Sequence, residues 1–420
     1  MRITILASGS RGDVQPLVAL GAGWQRAGHQ VTVAATRDFA PLVTAHGLAC
    51  HPFSVATDDL LASDLGRTWL GHSSHRPRLE LRLLTEMVST YGVALAPEIA
   101  ALAGTADLFV SGVLSVDGAA SLVEAGGGRH LVALLAPFHP TRAGWAGVQA
   151  PVPLAESWRN RASGQVMNWF LAGAFRATGD AVRRELGLAP GPRRSWARRL
   201  VETPALVGVS PTVLPRPSDW PEHVAVTGSW FLPDEAGRGL SEHPRLAEFL
   251  AAGEPPVYVG FGSMSSHDSR STTSTVLAAL ARSGRRAVVH RGAAGLADDV
   301  EVPSEVLVVD DVPHGLLFPQ CGGVIHHGGA GTTAAALRAG VPSAAVAHMG
   351  DQPYWGRRIH ELGAGPAPIR RHELTVASLT GLLDGLSAPG IAERAAEVGA
   401  RVRAEDGVAT AVTAADRLLG

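Results

Sequence analysis

Lysine is absent from the sequence, and all 36 basic residues among its 420 positions are arginine. This absence excludes the phosphate-binding lysine of a Walker-type loop, the lysine that pairs with ATP phosphates in kinases, and Schiff-base chemistry on a lysine. The 49 glycines and 28 prolines indicate the codon bias of a GC-rich genome as its origin. Any phosphate bound by this chain must therefore be held without an ammonium group.

Cysteine and net charge are also scarce. Cys50 and Cys321 are too few for a disulfide framework, which predicts a reducing, cytoplasmic location. A formal net charge of −2 argues against a nucleic-acid partner, because such proteins normally carry a basic stripe. The sequence opens on a strand-like run rather than a signal peptide. No apolar stretch is long enough to predict a transmembrane segment.

Short apolar runs alternate with helical stretches in both halves of the chain. The runs lie at residues 3–7, 31–34, 108–111, 131–135, 257–260, 287–290, 306–309, 323–326 and 343–346. Helical patterns in the first half lie at residues 14–27, 39–46, 79–102 and 157–186. Continuous apolar runs between helices predict parallel sheets covered on both faces. The predicted fold is therefore α/β, with two Rossmann-like, doubly wound domains facing across a cleft.

Proline marks the predicted boundary between the two halves. Residues 203–235 contain six prolines, and proline interrupts both helices and sheets. We predict an N-terminal domain at residues 1–203, a linker at 204–240 and a C-terminal domain at 241–405. Residues 406–420 are expected to form a C-terminal helix, with its return to the N-terminal domain left open.

Asp13 closes the first of three glycine-rich loops, at residues 8–13 after the first predicted strand. In such sheets, ligands bind beyond the carboxyl ends of the strands. Two interpretations of Asp13 stay open. It caps the next helix, which would lower its pKa and weaken it as a base, or it takes a proton from an acceptor hydroxyl. Spacing alone favours the cap.

The second loop, Gly-Phe-Gly-Ser-Met at residues 260–264, is weak evidence for a site, because a tight turn explains it as well as a phosphate contact does. The third, His-His-Gly-Gly-Ala-Gly-Thr-Thr at residues 326–333, leads into an alanine-rich helix. Helix N–H groups, a threonine hydroxyl and an imidazole predict an anion site there. Close helix packing at Gly331 is the alternative. Zinc is not expected, because adjacent strand residues point to opposite faces and no suitably spaced ligand follows.

Asp351 and Gln352 follow the next predicted strand. A carboxylate beside an amide offers both acceptors and donors to sugar hydroxyls. Taken alone, Asp351 indicates another helix N-cap before Pro353.

Together these segments resemble the nucleotide-sugar-dependent glycosyltransferases of the two-domain GT-B architecture, above all bacterial natural-product enzymes and sterol glucosyltransferases. The resemblance rests on residues 9–17, 227–230, 260–264, 326–332 and 351–352, in the order of that family. It implies an inverting transfer from a UDP- or dTDP-sugar, held by the C-terminal domain, to a hydroxyl of an aglycone held by the N-terminal domain. The nucleotide sugar would be a co-substrate, and no cofactor is expected.

The resemblance also implies which residues contact the donor. His326, Gly331 and Thr332 would contact the pyrophosphate, and Asp351 and Gln352 the sugar. The full predicted donor-binding set is Ser10, Gly262, Ser263, Val312, His314, His326, Gly328, Gly329, Gly331, Thr332, Asp351 and Gln352. Because the chain has no Asp-x-Asp motif, we expect transfer without a metal.

The base is where members of the family differ. The bacterial antibiotic branch carries aspartate at the position of Asp13, which makes Asp13 the predicted base in spite of the capping preference. His139, in an irregular loop at residues 137–153, is the second choice, and an ordinary loop histidine is its alternative.

The acceptor is poorly specified by the sequence. Trp69, Trp145, Trp158 and Trp169 either line an apolar acceptor pocket or are ordinary aromatics. We expect a polyketide, macrocyclic, aromatic or lipidic aglycone and a monomer or homodimer. A sugar-nucleotide epimerase and a non-catalytic auxiliary protein are the alternatives. A dinucleotide-dependent oxidoreductase fits less well, because residues 9–12 lack the Gly-x-Gly-x-x-Gly spacing.

Overall fold

The computed structural model describes residues 1–72, 77–233, 239–262, 269–292, 295–298, 300–310 and 312–420. The chain divides into two compact units. The first comprises described residues of 1–69, 77–232 and 406–420, and described residues of 70–76 and 233–405 form the second. Each unit is built on one parallel sheet, which confirms the predicted α/β class.

Seven parallel strands form the sheet of the first unit, in the order β3-β2-β1-β4-β5-β6-β7. They are β1 (Arg2–Ala7), β2 (Gln30–Thr36), β3 (Ala49–Phe53), β4 (Leu108–Ser111), β5 (Arg129–Leu134), β6 (Ala205–Val207) and β7 (Val224–Val226). The order reverses at β1, which lies between β2 and β4. The edge beyond β1 is therefore the place where such a sheet offers a ligand crevice.

Both faces of this sheet are buried. Ile3 and Ile5 of β1 belong to one apolar cluster, whereas Leu6 and Phe109 belong to a second cluster. The alternation places successive side chains on opposite faces, each covered by helices. The helices of the N-terminal half are α1 (Arg11–Arg26), α2 (Ala40–Ala45), α3 (Thr57–Ala62), α4 (Asp64–His72), α5 (Pro77–Ala94), α6 (Ala96–Ala100), α7 (Val116–Gly126), α8 (Trp158–Glu185) and α9 (Ser195–Glu202).

Six parallel strands form the sheet of the second unit, in the order β10-β9-β8-β11-β12-β13. They are β8 (Val257–Gly260), β9 (Ala287–His290), β10 (Val306–Val309), β11 (Gly323–His326), β12 (Ser343–Ala347) and β13 (Ile369–Arg370). The five strands predicted here are thus confirmed, and the order reverses at β8. The helices are α10 (Pro244–Ala251), α11 (Ser269–Ser283), α12 (His314–Leu317), α13 (Ala330–Ala339), α14 (Gln352–Glu361), α15 (Val376–Gly385) and α16 (Ile391–Arg403).

Part of the segment predicted as a linker lies inside the first unit. Residues 204–232 contribute β6 and β7 to its sheet instead of leaving it. The prolines stand between and beside these three-residue strands, so none removes a ladder hydrogen bond. The edge strand β3 also tolerates Pro52, as edge strands can.

The C-terminal helix α17 (Gly407–Leu419) packs on the first unit. Its Val408 and Ala411 belong to the same apolar cluster as Trp24 of α1. A Cβ on Gly23 of α1 would overlap the side chain of Val408, so the close approach of the two helices requires glycine there. No helix in the described part of the chain is long and apolar enough to cross a bilayer.

Gly23→Val should lower the free energy of unfolding by about 1–3 kcal/mol, because the added side chain overpacks the contact between α1 and α17. Gly173→Ala in α8 is the matched control, since a Cβ there meets no atom within 4 Å and alanine favours a helix over glycine. Thermal unfolding followed by circular dichroism measures both variants. A Gly23→Val variant as stable as the wild type would contradict this packing.

Candidate active site

Asp13 lies in the first turn of α1, three positions after the N-cap residue Ser10. The backbone N–H of Ser10 donates to Asp13 Oδ2 at 2.8 Å, and the Ser10 hydroxyl donates to the same oxygen at 2.9 Å. This is the carboxylate half of a capping box. Among the described residues, none donates a hydrogen bond to Asp13 Oδ1. Capping and proton transfer are therefore compatible, with one oxygen available for each.

Neighbouring segments hold the loop that carries Asp13. The Thr57 hydroxyl donates to Gly9 O at 3.1 Å, and the Ser115 hydroxyl donates to Ser8 Oγ at 3.3 Å. Gly9 has a φ of +123°, and a Cβ there would lie 2.5 Å from Asp13 Oδ2. Glycine is thus required both by the backbone and by the carboxylate.

Burial raises the pKa of Asp13 above its usual value, and the two hydrogen bonds from Ser10 oppose this rise. The sequence had predicted a lowered pKa if Asp13 served the helix. Desolvation exceeds the effect of the hydrogen bonds, which reverses the expected direction. A carboxylate with a raised pKa is a stronger base than an exposed aspartate.

His139, the second choice for the base, is only 2% exposed. Its ring lies 5.7 Å from that of Trp220, whose indole N–H donates to His139 O. Burial, together with nearby His223, lowers the pKa of His139 to about 4. A base must come within hydrogen-bond reach of the substrate hydroxyl, and this burial separates the His139 ring from solvent.

Three loops of the second unit meet at the edge where its strand order reverses. β8 pairs with β11 so that Gly260 lies opposite His326, and β11 pairs with β12. A Cβ on Gly262 would lie 2.9 Å from His327 Cε1, and one on Gly328 would lie 2.8 Å from Gln352 O. The structure therefore brings together the three motifs that the sequence predicted to act in one site.

The N-terminus of α13 supplies hydrogen-bond donors to this edge. The helix begins at Ala330 after Gly329, and its first return bond runs from Thr333 N to Gly329 O at 2.9 Å. The N–H groups of residues 330–332 precede this bond, as at any helix N-terminus. Gly331 and Thr332 are both partly exposed. Together these groups can bind an anion.

The two adjacent histidines occupy different environments. His326 is fully buried, and its Nδ1 accepts the Gly328 N–H at 3.0 Å. Burial lowers the pKa of His326 well below its usual value. His327 is the first residue beyond β11 and is partly exposed, and its ring fills the space that a Cβ on Gly329 would need. The burial of His326 makes His327 the more accessible of the two imidazoles, and the role of His326 at the anion site stays a prediction.

His327 is not among the predicted donor residues, although the chain gives a signal for its position. Ligands bind beyond the ends of strands, and the apolar run 323–326 already ends at His326. The next residue is the one expected to face the edge of the sheet. Burial and nearby His290 lower the pKa of His327 to about 4, so its ring is neutral at pH 7.

Asp351 is the N-cap residue of α14, and its Oδ2 accepts the indole N–H of Trp355 at 2.7 Å. Gln352 is 6% exposed, and its Oε1 accepts the backbone N–H groups of His348 and Met349 at 2.8 and 3.1 Å. Gln352 thus holds the loop before α14 in place. Asp351 is the more exposed of the two predicted sugar contacts.

Three further residues of the predicted donor-binding set are Val312, His314 and Ser263. Val312 is buried, whereas His314 begins α12, where its ring stacks on Phe318 with centroids 4.3 Å apart. Ser263 falls outside the described residues. Within the described ranges, no group of three or more His, Cys, Asp or Glu residues is arranged to hold a metal ion.

The tryptophans singled out in the sequence do not share one environment. Trp145 donates its indole N–H to Pro215 O at 3.3 Å. Trp158 and Trp169 both lie on α8, where they are 72% and 44% exposed.

Two family models match the chain. The glycosyltransferase family 28 N-terminal domain matches residues 3–116, and the erythromycin biosynthesis protein CIII-like C-terminal domain matches residues 274–411. The first match covers the Asp13 loop. The second covers two of the three loops that meet in the second unit, those that follow β11 and β12, and begins after the loop at residues 260–264.

Two known proteins match over nearly the whole chain. The sterol 3-beta-glucosyltransferase UGT80B1 of Arabidopsis thaliana is 34% identical over 435 residues, covering 100% of this chain and 68% of that protein. The O-mycaminosyltylonolide 6-deoxyallosyltransferase of Streptomyces fradiae is 32% identical over 428 residues, covering 98% and 96%. The sterol glucosyltransferases include longer proteins, and the chain spans 26% of one from Debaryomyces hansenii.

A solved structure extends the similarity to the fold. The glycosyltransferase VinC in complex with dTDP is 21% identical, with a TM-score of 0.63, and the match covers 100% of this chain and 99% of that one. The chain therefore has the GT-B fold and belongs to the glycosyltransferase family that includes the plant and Streptomyces enzymes above.

Proposed function

We propose that this chain transfers a sugar, with inversion and without a metal, from a dTDP- or UDP-sugar to a hydroxyl of a natural-product or lipid-like aglycone. The observation that carries the proposal is the arrangement of Asp13. One carboxylate oxygen is fixed by Ser10, and the other accepts no hydrogen bond from a described residue. This is the geometry that a general base needs when it must keep its orientation and still accept a proton.

The names of the relatives support this class of acceptor. One relative is named for a sterol and the other for a tylonolide, and both names describe large, mostly apolar compounds with hydroxyl groups. The VinC complex supports a thymidine diphosphate donor. These relatives are named as transferases, which favours transfer over the epimerase and auxiliary alternatives.

The base would act on the acceptor hydroxyl. As that oxygen attacks the anomeric carbon, Asp13 Oδ1 takes its proton and the bond to the diphosphate breaks on the opposite face. In-line approach from the face opposite the leaving group gives inversion. Asp13 supplies the proton acceptor, and the N-terminus of α13 stabilises the charge that develops on the diphosphate.

Neutral donors would hold this diphosphate. We assign the pyrophosphate contact to His327 rather than His326, together with the N–H groups of residues 330–332 and the Thr332 hydroxyl. The helix dipole adds a partial positive charge at the same place. These groups would stabilise the diphosphate charge in place of a metal ion or a lysine. The sequence has neither an Asp-x-Asp motif nor a lysine.

Asp13→Asn should lower kcat by about 10²- to 10⁴-fold, because the amide cannot accept the proton in the transition state. The single side-chain oxygen of the asparagine can still accept the hydrogen bonds from Ser10, so the fold should persist. Steady-state kinetics with a dTDP- or UDP-sugar and a hydroxylated acceptor measure the effect.

The control is Asp406→Asn, because Asp406 Oδ1 caps α17 by accepting the Ala409 N–H at 3.0 Å. Both variants remove a carboxylate from a helix N-terminus, but only Asp13→Asn should lose activity. Full activity of Asp13→Asn with unchanged donor binding would assign the base to another residue.

His327→Ala should weaken dTDP or UDP binding by about 10- to 100-fold, because it removes one hydrogen bond to a charged group. Its melting temperature should change little, since His327 is partly exposed. His326→Ala should instead lower the free energy of unfolding by about 2–5 kcal/mol, as expected for a large side chain removed from the core. Calorimetric titration and thermal unfolding separate the two. Unchanged nucleotide binding in His327→Ala would contradict this assignment.

Activity should be unaffected by EDTA, because donor binding would rely on backbone N–H groups, a hydroxyl and an imidazole. The assay compares initial rates before and after chelation and again with added Mg²⁺ or Mn²⁺. A loss of rate that either ion restores would disprove the metal-independent mechanism.

A further inference from the structure

Exposed apolar side chains concentrate at the beginning of α8. The described part of the chain has seven large hydrophobic residues that are exposed, and five of them lie within 17 consecutive positions. These five are Leu154 (59% exposed), Trp158 (72%), Val166 (53%), Trp169 (44%) and Phe170 (44%). We call them the α8 apolar face. Single exposed apolar residues are common, but a contiguous group indicates a binding surface.

Helical spacing places the four α8 residues on one side of the helix. Trp158, Val166 and Trp169 are separated by eight and three positions, and Phe170 lies four positions after Val166, which are spacings of a single face. The opposite side carries buried amides. Asn168 donates to Phe138 O at 3.0 Å, and Asn160 donates to Ala155 O at 2.9 Å. Over residues 158–170 the usual amphipathic pattern is therefore inverted, with polar groups inside and aromatics outside, whereas apolar residues such as Phe175 are buried further along α8.

The charge on this surface is mostly positive, and Glu156, which lies between Leu154 and Trp158, is 3.8 Å from Arg142. Residues 157–179 contain no aspartate or glutamate. Arg159 and Arg161 are exposed and form no ion pair with a described residue. The guanidinium of Arg194, also exposed, lies 5.2 Å from the Trp169 ring centroid. Arg176 is neutralised by Asp180 at 3.2 Å. An uncompensated group of arginines thus borders the α8 apolar face.

We propose that the α8 apolar face binds the surface of a bilayer that contains anionic phospholipid. Tryptophan and phenylalanine insert at the boundary between headgroups and acyl chains, and arginines pair with lipid phosphates. A second copy of the chain is a poorer partner for this face, because residues 157–179 supply no carboxylate to pair with Arg159 or Arg161. The helix would lie on the membrane and not cross it.

The test is co-sedimentation of the full chain with phosphatidylcholine vesicles, with and without phosphatidylglycerol. The wild type should bind the anionic vesicles and be released by high salt. Trp169→Ser combined with Phe170→Ser should lower the partition coefficient at least about tenfold, because the bilayer would no longer bury these two aromatic side chains. Arg159→Gln combined with Arg161→Gln should lower it about tenfold and remove the preference for phosphatidylglycerol.

Val93→Ser is the matched control, because Val93 is 42% exposed but lies on α5, and it should bind vesicles as the wild type does. Thermal unfolding verifies that each variant folds. Three results would overturn the proposal: a wild type that does not bind anionic vesicles, α8 variants that bind them unchanged, and a Trp169→Ser/Phe170→Ser variant that changes only the oligomeric state or only the KM of a soluble acceptor.

Discussion

The parallel pairing of β8 with β11 determines the geometry of the candidate donor site. It sets Gly260 opposite His326, so the chain leaves both strands at the same edge of the sheet. A shift of one residue would move every side chain of β11 to the other face. In the observed register, His326 stays in the core, while the His327 ring fills the space left by the missing side chains of Gly262 and Gly329. Helix α13 begins at Ala330, three positions after His327.

Our proposal for Asp13 assigns a structural role and a chemical role to one carboxylate. Its contact with Ser10 stabilises the start of α1 and fixes the direction of the carboxylate. Burial then raises the pKa that these hydrogen bonds alone would lower. A freely rotating aspartate would be a weaker base and would have to be oriented during each turnover. The helix cap therefore contributes to the orientation that proton transfer requires.

The sequence predicted the strands that carry the site, because buried parallel strands are continuous apolar runs with sharp ends. It missed β3, β6, β7 and β13, because β3 contains a proline and the other three have only two or three residues. It also identified the pair of histidines at residues 326 and 327, but it could not show that His326 is buried and His327 partly exposed. Residue type and spacing identify the motif. The exposure of each histidine ring depends on where β11 ends and on packing from other segments. The raised pKa of Asp13 likewise depends on burial that no local pattern contains.

The lack of lysine has a further consequence when the site and α8 are considered together. Residues 326–337 carry no arginine either, and the pKa of His327 is lowered to about 4. Phosphate recognition there, as we propose it, depends on neutral, directional donors and on the helix dipole, which act over short distances. Uncompensated arginines border the α8 apolar face instead, where exposed guanidinium groups suit a surface of many phosphates. The two proposals thus assign geometry to the place where one diphosphate must be oriented, and formal charge to the place where many phosphate groups can be contacted without a fixed orientation.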